Sequence, residues 1–117
     1  MVSMAKPPSS GPAGLLPGTL DLLILKTLSL QPLHGYGIAQ HLKRLSSDVL
    51  QVEEGSLYPA LQRMQLKGWI KAAWRTSPTG RRARYYELTR KGEKQLASEL
   101  SGFDRMITAI RAVLDPA

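Results

Sequence analysis

From Gly55 to Lys94 the chain reads GSLYPALQRMQLKGWIKAAWRTSPTGRRARYYELTRKGEK: helical spacing, alternation, a turn, alternation again and a new helix start. Leu57, Leu61 and Met64 recur at i, i+4, i+7 and predict the inward stripe of a helix, with Ser56 as its N-cap and Pro59 in its first turn, where a missing N–H costs nothing. Gly68 closes that helix. Trp69–Arg75 and Ala83–Leu88 then alternate with period two, Ile70, Ala72 and Trp74 sharing a face that Tyr86 and Leu88 pair with. Ser77-Pro78-Thr79-Gly80 is the turn between them, followed at once by Arg81-Arg82. The same stretch holds the charge: from Arg63 to Lys94 ten cations face two acids, a net +8, while the rest of the chain has six cations and seven acids and is net −1. A positive field gathered on one helix–hairpin unit is what binding a polyanion requires.

Upstream, residues 1–18 (MVSMAKPPSSGPAGLLPG) hold four prolines, three glycines and three serines, a composition that cannot offset the entropy of ordering, so a flexible N-terminal tail is expected. With Lys6 as its one cation, it makes a poor arm for a nucleic-acid groove. Thr19 is the expected N-cap of a first helix, with Asp21 in the first turn favouring the dipole, ending near Ser29 before Gln31-Pro32. Its leucines and Ile24 cover almost every face, so it must be buried on more than one side. A second subunit is the expected cover for one of them, with Leu22 and Leu25 at that contact. Gly35–Ser46 is a second helix with Ile38, Leu42 and Leu45 inward, ended by Ser47-Asp48.

Downstream, Thr89 opens a last helix reaching about Leu114. Leu96, Leu100, Phe103, Ile107, Ile110 and Leu114 recur at intervals of 4, 3, 4, 3 and 4, a seven-residue repeat that marks a seam along another helix. At 1.5 Å per residue this helix is roughly 38 Å long, more than the preceding body can cover. A homodimer interface over these residues follows. Gly102 weakens the helix interior and marks a close crossing or a bend.

The expected domain plan is a tail over 1–18, a DNA-binding unit over 19–89 and a dimerisation helix over 90–115. The fold class is mainly α with a small two-stranded hairpin: a winged helix-turn-helix plus a long C-terminal helix. In that architecture the third helix enters the major groove. Gln62 and Gln65 offer paired donor and acceptor to an adenine edge, and Arg63 a fork to guanine. Ser56 and the Tyr58 hydroxyl at the helix start suit a phosphate, and Lys67 belongs to the same surface. Arg81, Arg82 and Arg84 suit the backbone or the minor groove.

Composition closes other routes. The chain has no cysteine, hence no disulfide, thiolate site or cysteine nucleophile. Leu22–Leu25 is the longest apolar run before Lys26 interrupts it, far short of a membrane span of about 20 residues, and no signal-peptide pattern opens the chain. A cytoplasmic protein without membrane, metal or cofactor is expected. His34 and His41 lack acidic or thiol partners at metal spacing, Glu53-Glu54 point apart, and Gly35 and Gly37 fit a helix entry, so an enzyme is disfavoured. A ligand-sensing or protein-interaction dimer without sequence-specific DNA binding is the main rival, opposed by the cations on both helix and hairpin. RNA binding would want aromatics exposed on strands and would leave the third helix idle.

The segments GTLDLLILKTLSLQPLHGYGIAQHLKRLS, VEEGSLYPALQRMQLKGWIKAAW and RRARYYELTRKGEKQL together resemble the PadR family of bacterial transcriptional regulators. The match covers about Leu16 to Leu100, and GSLYPALQRM and YYELTRKG are its most specific pieces. The resemblance implies a winged-helix domain, a C-terminal helix for dimerisation, and binding to an inverted-repeat operator in double-stranded DNA, usually as a repressor. It places the family's tyrosines at Tyr36 and Tyr58, as contacts to the DNA backbone. The single C-terminal helix is similar to the smaller subfamily, some of whose members bind an aromatic small-molecule effector between subunits. Here that helix offers Phe103 and no tryptophan.

Overall fold

The computed structural model describes residues 18–116, in which α1 (Thr19–Leu30), a two-residue β1 (Leu33–His34), α2 (Gly35–Leu45), α3 (Glu54–Leu66), β2 (Ile70–Thr76), β3 (Arg82–Leu88) and α4 (Arg90–Leu114) follow in order. The expected tail thus lies outside the described residues, save Gly18. That glycine, at φ 87°, caps α1 and leaves Thr19 as its first residue.

α1 is the centre of the molecule, packing on α2, α3, α4 and β3. Ile24 and Leu25 are wholly buried, and Leu22 and Leu28 nearly so, against Ile38, Leu57, Leu61 and Met64 of the next two helices. This corrects one expectation. Leu25 has 0 % of its surface exposed within the single subunit, and Leu22 and Leu96 keep 7 % and 8 %, so the subunit's own core claims all three and they offer a partner almost nothing. The chain's own core covers most of α1, leaving Leu20 and Leu23 half-buried and Leu30 exposed. Leu45 departs in the other direction: it is exposed, because α2 ends there and Ser47 and Asp48 turn away with positive φ.

The sheet has three strands, not two, in the order β1-β3-β2. Leu33 pairs with Tyr86 and His34 with Tyr85. On the other edge Ile70 lies opposite Leu88, Ala72 opposite Tyr86 and Trp74 opposite Arg84, the pairing expected from alternation. His34 then caps α2, its Nδ1 accepting from the Gly37 N–H at 2.9 Å. Its role is structural.

Two joints set the angle between helix and hairpin. At the end of α3, Gly68 (φ 78°) donates to the Gln65 carbonyl and Trp69 to that of Met64, the paired bonds of a Schellman ending. Thr89 then caps α4, its hydroxyl accepting from the Gly92 N–H at 3.0 Å and lying 2.6 Å from the Gly68 carbonyl, to which it donates. One threonine ties the end of α3 to the start of α4.

Candidate nucleic-acid interface

α3 begins earlier than its sequence pattern indicates. Its N-cap is Glu53, and Ser56 is the third helical residue, already donating to the Glu53 carbonyl at 2.9 Å. Two carboxylates, Glu53 and Glu54, therefore stand at the positive end of the dipole, where the sequence pattern expects a phosphate. Pro59 sits in the second turn instead of the first, so the helix lacks the hydrogen bond to the Gly55 carbonyl at a point on its exposed side.

With 3.6 residues per turn, the buried stripe of Leu57, Ala60, Leu61 and Met64 fixes the opposite face. Its centre is Gly55, Pro59, Gln62 and Leu66, a stripe without charge. Leu66 is 82 % exposed, an apolar side chain in the middle of it. Tyr58 and Gln65 lie on one flank; Ser56, Arg63 and Lys67 lie on the other.

The Tyr58 flank faces the hairpin. Tyr58, Gln62, Gln65 and Leu66 line one depression with Arg84 and Tyr86. Tyr58 and Tyr86 continue into a second, shared with Gly35, Tyr36, Arg81, Arg82 and Arg84. The cations arrive there by the pleat. Alternate residues of β3 point to one side: Leu88 and Tyr86 meet the core, and as the strand leaves the body the next two positions on that side are Arg84 and Arg82. Trp74, opposite Arg84, lies beneath both guanidinium groups, 5.8 Å from that of Arg82 and 6.0 Å from that of Arg84. The turn is closed by Gly80 donating to the Ser77 carbonyl at 2.9 Å.

Tyr58 is held against Gly35. A methyl group on Gly35 would stand 2.6 Å from the Tyr58 hydroxyl, so the bare glycine makes room for the phenol at the start of α2. Burial pushes the Tyr58 phenol above its ordinary value of 10.0, with the Glu54 carboxylate adding to the shift. The hydroxyl is consequently a proton donor across neutral and mildly alkaline pH, suited to an anionic oxygen.

On the other flank Arg63 is not free. Its Nη2 donates to Oδ1 of Asp21 in the first turn of α1. The Asp21 side chain is 12 % exposed and that of Arg63 48 %. Stranding one partner of a fully buried pair costs about 3–5 kcal/mol, and less in a pair half open to water such as this. The structure thus brings Tyr36, Tyr58, Gln62, Arg81, Arg82 and Arg84 around two adjoining depressions that share Tyr58 and Arg84, leaves Ser56 and Lys67 on the far flank, and ties Arg63 to α1.

Three residues beside these escaped the reading of the sequence. Leu66 could have been found there, since the spacing of Leu57, Leu61 and Met64 rotates it outward. Alternation places Trp74 on the strand face of Ile70 and Ala72 but does not show that it is exposed beneath the arginines. Asp21 was read as a dipole partner, and nothing in the sequence joins it to Arg63, 42 residues away.

On α4, Leu100, Phe103 and Ile110 are each about two-fifths exposed, and Met106, Val113 and Leu114 more so. Phe103, Met106, Ile107 and Ile110 form an apolar groove with Gly18, Thr19 and Leu22 at the start of α1. Among the described residues no helix is long and apolar enough to cross a membrane.

Residues 24–98 match the Transcriptional regulator PadR-like family. The chain is 29 % identical over 83 residues to an uncharacterised protein of Lysinibacillus sphaericus, covering 71 % of this chain and 76 % of that one. Among solved structures, a PadR-like transcriptional regulator from Bacillus cereus superposes with a TM-score of 0.75 at 30 % identity, covering 86 % of this chain and 95 % of the other. A PadR family transcription regulator from Clostridium difficile does so with a TM-score of 0.69 at 30 % identity, covering 83 % and 98 %. The four helices, the small antiparallel sheet and the long last helix are those of the winged-helix regulators to which they compare. With the cationic hairpin and the neutral face of its third helix placed side by side, the chain belongs to the PadR-like family of transcriptional regulators.

Proposed function

We propose that the protein is a homodimeric, cytoplasmic repressor that binds an inverted-repeat operator in double-stranded DNA. The observation that carries this is the convergence of the uncharged α3 stripe with Arg81, Arg82 and Arg84 on one side of the molecule. Gln62 and Gln65 reach an adenine edge, and Leu66 with Pro59 meets thymine methyl groups, so the stripe favours A·T-containing steps. Tyr36, Tyr58, Ser56 and Lys67 hold the phosphates on either side, and the hairpin arginines follow the backbone or enter the minor groove. Dimerisation uses Leu100, Phe103, Ile107, Ile110 and Leu114.

The apolar groove between α1 and α4 supports a second element of this reading, an effector site at the dimer interface, with Phe103 as its aromatic wall. Binding there and binding to DNA are compatible activities of one dimer.

Affinity for duplex DNA should fall steeply with salt, since each neutralised phosphate contributes about −0.9 to the log–log slope. A titration by fluorescence anisotropy over a range of salt concentrations should give a slope of several units. A flat response would exclude an electrostatic grip on the backbone and with it this function.

A further inference from the structure

The Arg63–Asp21 pair is the one salt bridge among the described residues, and it sits in an unusual place. A cation on the exposed side of a DNA-facing helix ordinarily adds attraction for phosphate. Here the guanidinium is turned towards α1 and neutralised by a carboxylate that is almost wholly covered, with no second cation within ion-pairing distance among the described residues. Arg63 also lies on the flank of α3, outside the stripe of Gln62 and Leu66. If it left for DNA, Asp21 would remain as a largely covered charge without a partner, so the exchange is unfavourable.

We infer that Asp21 is a positioning residue that withholds Arg63 from DNA and fixes α3 to α1, neutralising the cation beside the helix's uncharged reading face. This inference rests on the DNA-binding function proposed above. Its consequence is selectivity. A free arginine on α3 would add the same attraction to every sequence, because phosphate contacts carry no base information. Neutralising it inside the protein lowers binding to arbitrary DNA and leaves discrimination to Gln62, Gln65 and Leu66. The sequence pattern alone assigns Arg63 to guanine; the ion pair reassigns it.

The test is the salt dependence of binding to a random-sequence 30-bp duplex, about three helical turns long, by the full chain and four variants. Arg82→Gln removes a phosphate contact and should make the slope shallower by about 0.9. Arg63→Gln should leave the slope where the parent has it. Asp21→Asn frees the guanidinium and should steepen the slope by about 0.9 while tightening binding to the random duplex. The double variant Asp21→Asn, Arg63→Gln should return to the parent slope; it also removes both charges together, so it reports even if the single asparagine variant folds poorly. A merely structural role for the pair predicts weaker binding in every variant and never a steeper slope. The inference is overturned if Arg63→Gln loses as much slope as Arg82→Gln, or if folded Asp21→Asn binds no more steeply than the parent. If Arg82→Gln leaves the slope unchanged while the Asp21 and Arg63 variants behave as stated, it is the hairpin assignment that fails. If the parent has no salt-dependent binding at all, the DNA reading falls and takes this inference with it.

Discussion

Gly92 shows how one residue can be dictated by a contact that its neighbours in sequence do not reveal. α4 starts against the end of α3, and a methyl group at Gly92 would overlap the Trp69 carbonyl oxygen and press on Leu88, 2.6 Å away. The obstacle is backbone, which cannot swing aside as a side chain would. Gly92→Ala should therefore cost at least about 1–3 kcal/mol, the range for forced overpacking. In a domain of this size that lowers the midpoint of thermal unfolding by about 4–8 °C per kcal/mol, readable by circular dichroism. An unchanged midpoint would mean that α4 does not approach Trp69 this closely. Thr89, by contrast, was legible as a helix start, because a threonine ahead of a helical pattern has one common use. Its second use, donating to the Gly68 carbonyl, depends on the Schellman turn placing that carbonyl beneath it.

At the scale of elements, periodicity located each helix and both long strands, since each buries one face and a face has a period. It failed where burial does not follow one face. β1 has two residues, too few to show alternation, and it exists because β3 presents an open edge to Leu33 and His34. The heptad pattern of α4 marks which residues are apolar but not what covers them, so it grouped Leu96, which the core claims, with residues that the core leaves exposed. The proposed seam therefore starts at Leu100. Ile110 lies in its middle and beyond the reach of the sheet, so Ile110→Asp should leave the winged helix folded while placing a carboxylate in an apolar contact between copies. Sedimentation velocity or a sizing column with light scattering should show the mass halving from dimer to monomer, with the far-ultraviolet dichroism retained. A dimer of unchanged mass would move the interface elsewhere.

Over the whole molecule, measuring 53 × 30 × 23 Å, the proposed functions divide along the length of the chain. The longest run of exposed apolar side chains, from Leu100 to Leu114, lies on α4, and surplus positive charge lies on the hairpin and the helices flanking it. The separation of charge could be read by counting along the sequence, because it needs no knowledge of the fold. The convergence of Tyr36, Tyr58 and the arginines could not, since it depends on α2 starting beside β3 and on Gly35 admitting the phenol. In the proposed dimer, one such surface on each half would present the two α3 helices to successive turns of the same face of a duplex. The direct measurement is to incubate the purified protein with sheared genomic DNA, recover the bound fragments and sequence them. The enriched fragments should share an inverted repeat whose half-sites lie one helical turn apart, about 10–10.5 bp centre to centre, or a multiple of it. Enrichment of a single unrepeated motif, or of no motif at all, would contradict it.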